Sequence, residues 1–201
     1  MKRITNLIKL FFLFLFLATP LIFTFFNSEL FELPKMYFVY LITIIITTLH
    51  LTNWSLGKVT LYKKTFLNIP IFLFLISQII STFISIDPHT SFFGYYSRLN
   101  GGLLPLISFI TLYFILPNYS DSKFNKKIIN TVLLSGLLVS IYGIAQHFGA
   151  DKNLWVQDVQ SRVFSTLGQP NWLAAFLVIL IPSSITSESQ SKYSSGVKSS
   201  P

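Results

Sequence analysis

The sequence predicts an all-α, polytopic bundle of about six transmembrane helices with a cytoplasmic N-terminus. Two observations carry that expectation. The chain of 201 residues is 52% hydrophobic and only 11% charged, against about 25% charged in soluble domains, and its apolar residues come in long blocks rather than at one-face spacing. Its basic residues fall asymmetrically in the loops between those blocks.

Six spans are expected, at about 7–26, 35–51, 67–86, 101–116, 128–148 and 171–185, which makes 1–185 one transmembrane domain. The first follows Met1-Lys-Arg-Ile-Thr-Asn-Leu-Ile-Lys9 and resembles a signal peptide. Its apolar run continues past Pro20 to Phe26 with no small-x-small cleavage site after it, so an uncleaved span is expected. The second carries Ile42-Thr-Ile-Ile-Ile-Thr-Thr48, a strand-like composition in water. In lipid a spanning backbone must satisfy its own hydrogen bonds, so helix is expected there. The second, fourth and sixth spans are short for a bilayer, which favours tilt or a start inside the interface. The Ser-rich stretch 186–201 has no apolar period and is expected to be a disordered cytoplasmic tail.

With the N-terminus inside, the inner segments hold Lys2, Arg3, Lys9, Lys58, Lys63, Lys64, Lys123, Lys126, Lys127, Lys192 and Lys198. The outer segments hold only Lys35, Arg98, Lys152 and Arg162, so eleven and four account for all fifteen. The net charge of +8 does not indicate nucleic acid, because the basic residues are spread over short loops and form no stripe. There is no cysteine, which excludes disulfides and thiolate metal sites. The sequence holds no Gly-rich phosphate loop, no metal-spaced cluster and no nucleophile elbow, so neither a metal nor another cofactor is expected.

A cation on the outer side calls for an anion. Arg98 lies in Ser91-Phe-Phe-Gly-Tyr-Tyr-Ser-Arg-Leu-Asn-Gly-Gly102 and Arg162 in Arg162-Val-Phe-Ser-Thr-Leu-Gly-Gln-Pro-Asn171. The second motif, followed by Trp172-Leu-Ala-Ala175 and an apolar span, resembles a segment of the O-antigen ligase and polymerase family. Ile141-Tyr-Gly-Ile-Ala-Gln-His-Phe-Gly149 and the Arg98 stretch are also similar to family members, and the similarity runs over about 79–182. Each motif alone is weak; the three in order at helix–loop–helix positions are moderately specific.

Family members are integral membrane glycosyltransferases of about twelve spans of ~20 residues. They move a glycan from a polyprenyl-diphosphate carrier to an acceptor lipid or protein at the outer face of a bacterial-type cytoplasmic membrane. The resemblance implies that Arg162 neutralises the carrier diphosphate, with Arg98 a second candidate on the same face. It also implies a later half, with a large outer loop bearing another arginine and a histidine, so this chain alone is expected to be an inactive piece or a truncated relative.

The chemistry needs a stabilised diphosphate leaving group, a base for the acceptor and orienting polar groups. A guanidinium suits the first need because its planar fork binds two oxygens of one phosphate. The ordinary alternative for Arg162 is snorkelling to lipid headgroups. Arg98 has two alternatives besides the anion, pairing with Asp87 or touching lipid. Asn171 is a candidate ligand and equally a helix cap, with Pro170 starting the helix and Gly168 a turn. Gln146 faces the outer mouth and is expected to bond sugar or a neighbouring helix. Of the histidines, His147 reads as an interface marker, His89 as solvated and His50 as cytoplasmic, which leaves the base unassigned. A transporter or flippase for polyprenyl-linked sugars, or a non-catalytic membrane subunit, would use the same arginines without chemistry.

Overall fold

The computed structural model describes residues 2–25, 29–155 and 158–196. Among these the chain is all-helical, with seven α-helices, one 3-10 turn and no strand. It divides into two compact units, Met1–Leu15 with Phe23–Asp121, and Phe16–Ile22 with Ser122–Pro201.

Helix α1 is Lys2–Ala18. The expected first span ran to residue 26, but the helix stops eight residues earlier. Pro20 disfavours helical backbone at Thr19 and has no N–H to donate, and the chain turns with the N–H groups of Leu21 and Ile22 both donating to Ala18 O, at 2.9 and 3.1 Å.

In the first unit, α2 is Glu32–Ser55, α3 Asn68–Phe83, α4 Pro88–Phe93 and α5 Leu103–Tyr119. α5 packs against α2, α3 and α4. Met36, Val39, Thr43, Ile46, His50 and Asn53 of α2 are buried. Their alternating three- and four-residue spacing is that of one seam along a helix. Ser108, Leu112, Ile115 and Tyr119 form the corresponding seam of α5. The seams end in a polar cluster, where the His50 Nδ1 and Tyr119 hydroxyl lie 2.9 Å apart and Asn53 Nδ2 donates to the same hydroxyl at 3.3 Å.

Gly57, at φ 66°, ends α2: Lys58 N–H donates to Asn53 O at 3.0 Å and Gly57 N–H to Trp54 O at 2.8 Å. That is the hydrogen-bond pattern of a glycine-terminated helix. α4 lies between the third and fourth expected spans. Asp87 caps it by accepting from Thr90 N–H at 3.1 Å, and Pro88 takes the first helical position, where a missing N–H costs nothing.

In the second unit, α6 is Ser122–His147 and α7 is Pro170–Gly196. α6 begins six residues before the expected span and includes Lys123, Lys126 and Lys127. It ends as α2 does: Gly149 has φ 85°, and Ala150 N–H donates to Ala145 O at 3.0 Å. α7 runs through 186–196, where composition predicts disorder. Extending an established helix adds one hydrogen bond per residue fixed, so weak helix formers can follow a nucleated one. Residues 197–201 lie outside the described residues.

Among the described residues two helices, α2 and α6, are long and apolar enough to cross a membrane, by length and composition. At 24 and 26 residues they extend about 36 and 39 Å, against a hydrocarbon core of about 30 Å. α3, α5 and the Pro170–Pro182 part of α7 are shorter apolar helices. Large apolar side chains stand exposed along α2 and α3, beside the hydroxyls of Thr48, Thr52, Ser77 and Ser81. Ile44 is 65% exposed and Leu73 60%, and no residue of α3 is buried.

At Gly136, where α6 has no side chain, Leu180 of α7 packs against its backbone. A Cβ on Gly136 would lie 2.1 Å from Leu180 Cδ1. Gly136→Leu should therefore force the helices apart and destabilise the protein by about 1–3 kcal/mol. Thermal unfolding of the purified variant against wild type measures this, and Gly136→Ala should be close to neutral, because only the flexible end of Leu180 must move and Ala favours a helix interior by about 1 kcal/mol.

Candidate functional site

The sequence points to two arginine-bearing loops, and each belongs to a different unit. The Arg98 loop leaves α4 through Gly94, at φ 87°. It folds back so that Tyr95 N–H donates to Asn100 O at 3.0 Å, with Arg98 N–H donating to Tyr95 O at 2.9 Å. The turn closes only because two glycines let backbone touch backbone: a Cβ on Gly94 would lie 2.3 Å from Asn100 O, and one on Gly102 would lie 2.3 Å from Gly94 N. Tyr40 of α2 donates its hydroxyl to Leu99 O at 2.7 Å and holds the turn from one side.

Within that loop, Arg98 faces carboxylates. Its Nε is 3.3 Å from Glu29 Oε2 and 3.7 Å from Glu32 Oε2. The pairing with Asp87 that the sequence allowed does not form, because the Asp87 carboxyl is the cap of α4. Hydrogen bonds from Thr90, side chain and backbone, hold that carboxyl below the usual carboxylate range.

The Arg162 loop is anchored by Gln146, which has no exposed surface. Its Oε1 accepts from Ser165 N–H at 2.7 Å and its Nε2 donates to Asp151 Oδ2 at 2.8 Å. One buried amide therefore holds both the first turn of the loop and its last. Asp151 Oδ2 accepts two more hydrogen bonds, from the Tyr142 hydroxyl at 2.8 Å and Trp155 Nε1 at 2.6 Å. Burial pushes the Asp151 carboxyl up, but the hydrogen bonds from Gln146, Trp155 and Tyr142 outweigh it and hold the group below the usual range.

The far side of the loop is fixed as tightly. Ser165 sits at φ 53°, a left-handed conformation uncommon for a residue with a Cβ. Its hydroxyl donates to Val139 O of α6 at 2.6 Å, and together with the bond to Gln146 this holds the strained residue in place. Gly143 makes the room, since a Cβ there would lie 3.3 Å from Val163 Cγ1 and 3.6 Å from Ser165 Cβ. Thr166 donates to Pro20 O at 2.7 Å, and Phe164 is buried edge-on to Trp155 with ring centroids 5.2 Å apart.

Arg162 is thus the charged outward residue of its motif. Phe164, Ser165 and Thr166 are buried, Gly168 supplies the left-handed turn, and Pro170 starts α7. The Arg162 side chain is exposed, and its N–H donates to Asp158 O at 3.2 Å. Asp158 Oδ1 in turn accepts from Gln160 N–H at 3.0 Å. Among the described residues no carboxylate lies within 4 Å of the Arg162 guanidinium.

The other expected site residues take different places. Asn171 is not the cap of α7: Pro170 precedes it inside the helix, and Leu173 N–H donates to Gln169 O at 3.1 Å. Asn171 is exposed in the first helical turn, where its side chain is open to solvent. Gln146 is committed to the loop rather than turned to an outer mouth. His147 Nδ1 lies 2.9 Å from Gln160 O, and His89 is exposed and tilted against Phe93. Among the described residues no group of three or more His, Asp or Glu side chains is arranged to hold a metal ion.

Sequence reasoning passed over Asp151. An acid just after a helix-ending glycine looks like any solvated turn residue, and nothing local announces that it is 7% exposed and holds three donors. No protein-family model matches the chain, and neither does any curated protein or solved structure.

A group whose folded pKa is depressed contributes stability above its unfolded value, about 4 for Asp, and loses it as pH falls through the folded value. The Arg162 loop should therefore keep its protection above pH 4 and lose it progressively below. Amide exchange at Ser165 N–H, followed as pH is lowered, should accelerate beyond the intrinsic trend in wild type and show no such step in Asp151→Asn.

Proposed function

We propose that this chain belongs to a multi-pass, integral membrane glycosyltransferase of the O-antigen ligase type. In this reading it spans a bacterial-type cytoplasmic membrane with about six helices and handles a glycan on a polyprenyl-diphosphate carrier at the outer face. The observation that carries the reading is Arg162: an exposed guanidinium, without a carboxylate neighbour among the described residues, at the apex of a loop pinned at both ends. An arginine presented from so constrained a loop is preorganised for an anion, and its fork matches two oxygens of one phosphate.

The membrane placement is supported by the surface of α2 and α3, where large apolar side chains such as Ile44 and Leu73 stand exposed on helices that need no water to satisfy their backbone. Asn171, exposed nine residues after Arg162, is suited to orient sugar hydroxyls or phosphate oxygens. Arg98, already facing Glu29 and Glu32, is the weaker diphosphate ligand and fits a role in holding the 93–102 turn.

The transfer itself is a displacement at the anomeric carbon. An acceptor oxygen or nitrogen forms the new bond and gives up its proton to solvent, the bond to the carrier oxygen breaks, and the diphosphate departs with the electron pair. Arg162 acts on that developing charge. In the protein expressed from its full reading frame, Arg162→Ala should cut transfer on the order of a hundredfold or more while membrane insertion is unchanged, and Arg162→Lys should restore little of it. Transfer assayed in membranes with a polyprenyl-diphosphate-linked donor measures this; normal transfer by Arg162→Ala would remove the proposed role.

A further inference from the structure

A cleft of about 590 Å³ opens at one end of the first unit. It lies between the C-terminal halves of α2 and α5 and the N-terminal half of α3, with Leu51, Ile69, Leu73 and Phe114 among its walls. The loop between α2 and α3 adds Tyr62, whose ring meets Phe114 edge-on with centroids 6.3 Å apart. The volume falls within the range of about 300–1,000 Å³ of pockets that take small molecules, and a mostly apolar wall suits a hydrocarbon chain.

Two polar features narrow the occupant. The first is Thr47. Thr43, Thr48 and Thr52 of α2 each donate their hydroxyl to the carbonyl four residues earlier, at 2.7, 2.8 and 2.9 Å. The Thr47 side chain lines the cleft, but its hydroxyl points away from the open space, is shielded from solvent and makes no hydrogen bond. A buried donor left unmade is costly, and rotation about χ1 to the other rotamer open to a helical threonine would bring the hydroxyl to an acceptor on a bound molecule. His50, also in the wall, is already committed: Nδ1 lies 2.9 Å from the Tyr119 hydroxyl and Nε2 2.9 Å from Leu61 O.

The second feature is charge. The loop that lends Tyr62 to the cleft carries Lys58, Lys63 and Lys64, all exposed, and has no acidic residue between 56 and 67. None of the three is in an ion pair among the described residues. An apolar slot, one hydrogen-bond donor in its wall and a cluster of cations on the adjoining loop together match an acyl chain, an ester carbonyl and an anionic headgroup.

We infer that this cleft is a binding site for one anionic phospholipid, with an acyl chain between α2, α3 and α5, its ester carbonyl on Thr47, and its headgroup on Lys58, Lys63 and Lys64. The inference rests on the membrane placement proposed above. Such a lipid would fill space that the three helices leave open and tie the loop to the headgroup layer.

The test is lipid retention by the whole chain extracted from membranes in mild detergent, supplied with phosphatidylglycerol or phosphatidylcholine and read by native mass spectrometry. Wild type should retain phosphatidylglycerol about tenfold or more in preference to phosphatidylcholine. Replacing Lys58, Lys63 and Lys64 together by Ala should abolish the preference without lowering phosphatidylcholine retention. Leu73→Trp, which fills the cleft, should lower retention of both, and Thr47→Val should weaken both while leaving the preference. Equal retention of the two lipids by wild type, or an unchanged preference in the triple variant, would overturn the site while leaving the membrane reading intact. Recovery of the wild-type chain in the soluble fraction would overturn both.

Discussion

One buried amide carries the second unit's loop. Gln146 reaches from the end of α6 to Asp151 on one side and Ser165 on the other, so residues 151 and 165 are fixed to the same side chain. Two hydrogen bonds from a fully buried group are hard to give up, because each freed donor or acceptor would be left without water. The strained backbone of Ser165, the burial of Phe164 beside Trp155 and the outward course of Arg162 all follow from that anchoring. The middle of that motif, Phe164 to Thr166, is therefore structural, and the one charged side chain that the motif leaves outside, beside Gln169 and Asn171, is the arginine.

The two arginines look alike in sequence and differ in surroundings. Arg98 meets two carboxylates within 4 Å; Arg162 meets none among the described residues. A carboxylate at 3.3 Å competes directly with any phosphate for the same guanidinium, whereas an exposed cation loses only its hydration when an anion arrives. That difference ranks Arg162 first as an anion ligand and assigns Arg98 to the closure of its own turn.

The helices were legible because apolar blocks of this length leave few alternatives, and each expected span overlaps a helix. Their ends were less so. Gly57 and Gly149 each stop a helix by the same hydrogen-bond pattern, which a glycine permits but does not announce. Pro20 cut the first helix short, where its position inside an unbroken apolar run favoured continuity. The contacts that decide the sites are non-local: Glu29 and Glu32 lie more than sixty residues from Arg98, and Ser165 lies nineteen from Gln146. No spacing rule joins residues that far apart, so the roles of Gln146 and Asp151 emerged only from the fold.

The most direct test of the membrane reading uses the chain's lack of cysteine, which lets a single introduced thiol report its side of the membrane. Arg162→Cys and Lys63→Cys would be exposed separately, in intact cells, to a thiol reagent that does not cross membranes. The outer placement of Arg162 predicts labelling of the first variant in intact cells and of the second only after permeabilisation. Labelling of Lys63→Cys but not Arg162→Cys in intact cells, or protection of both until the cells are opened, would contradict it.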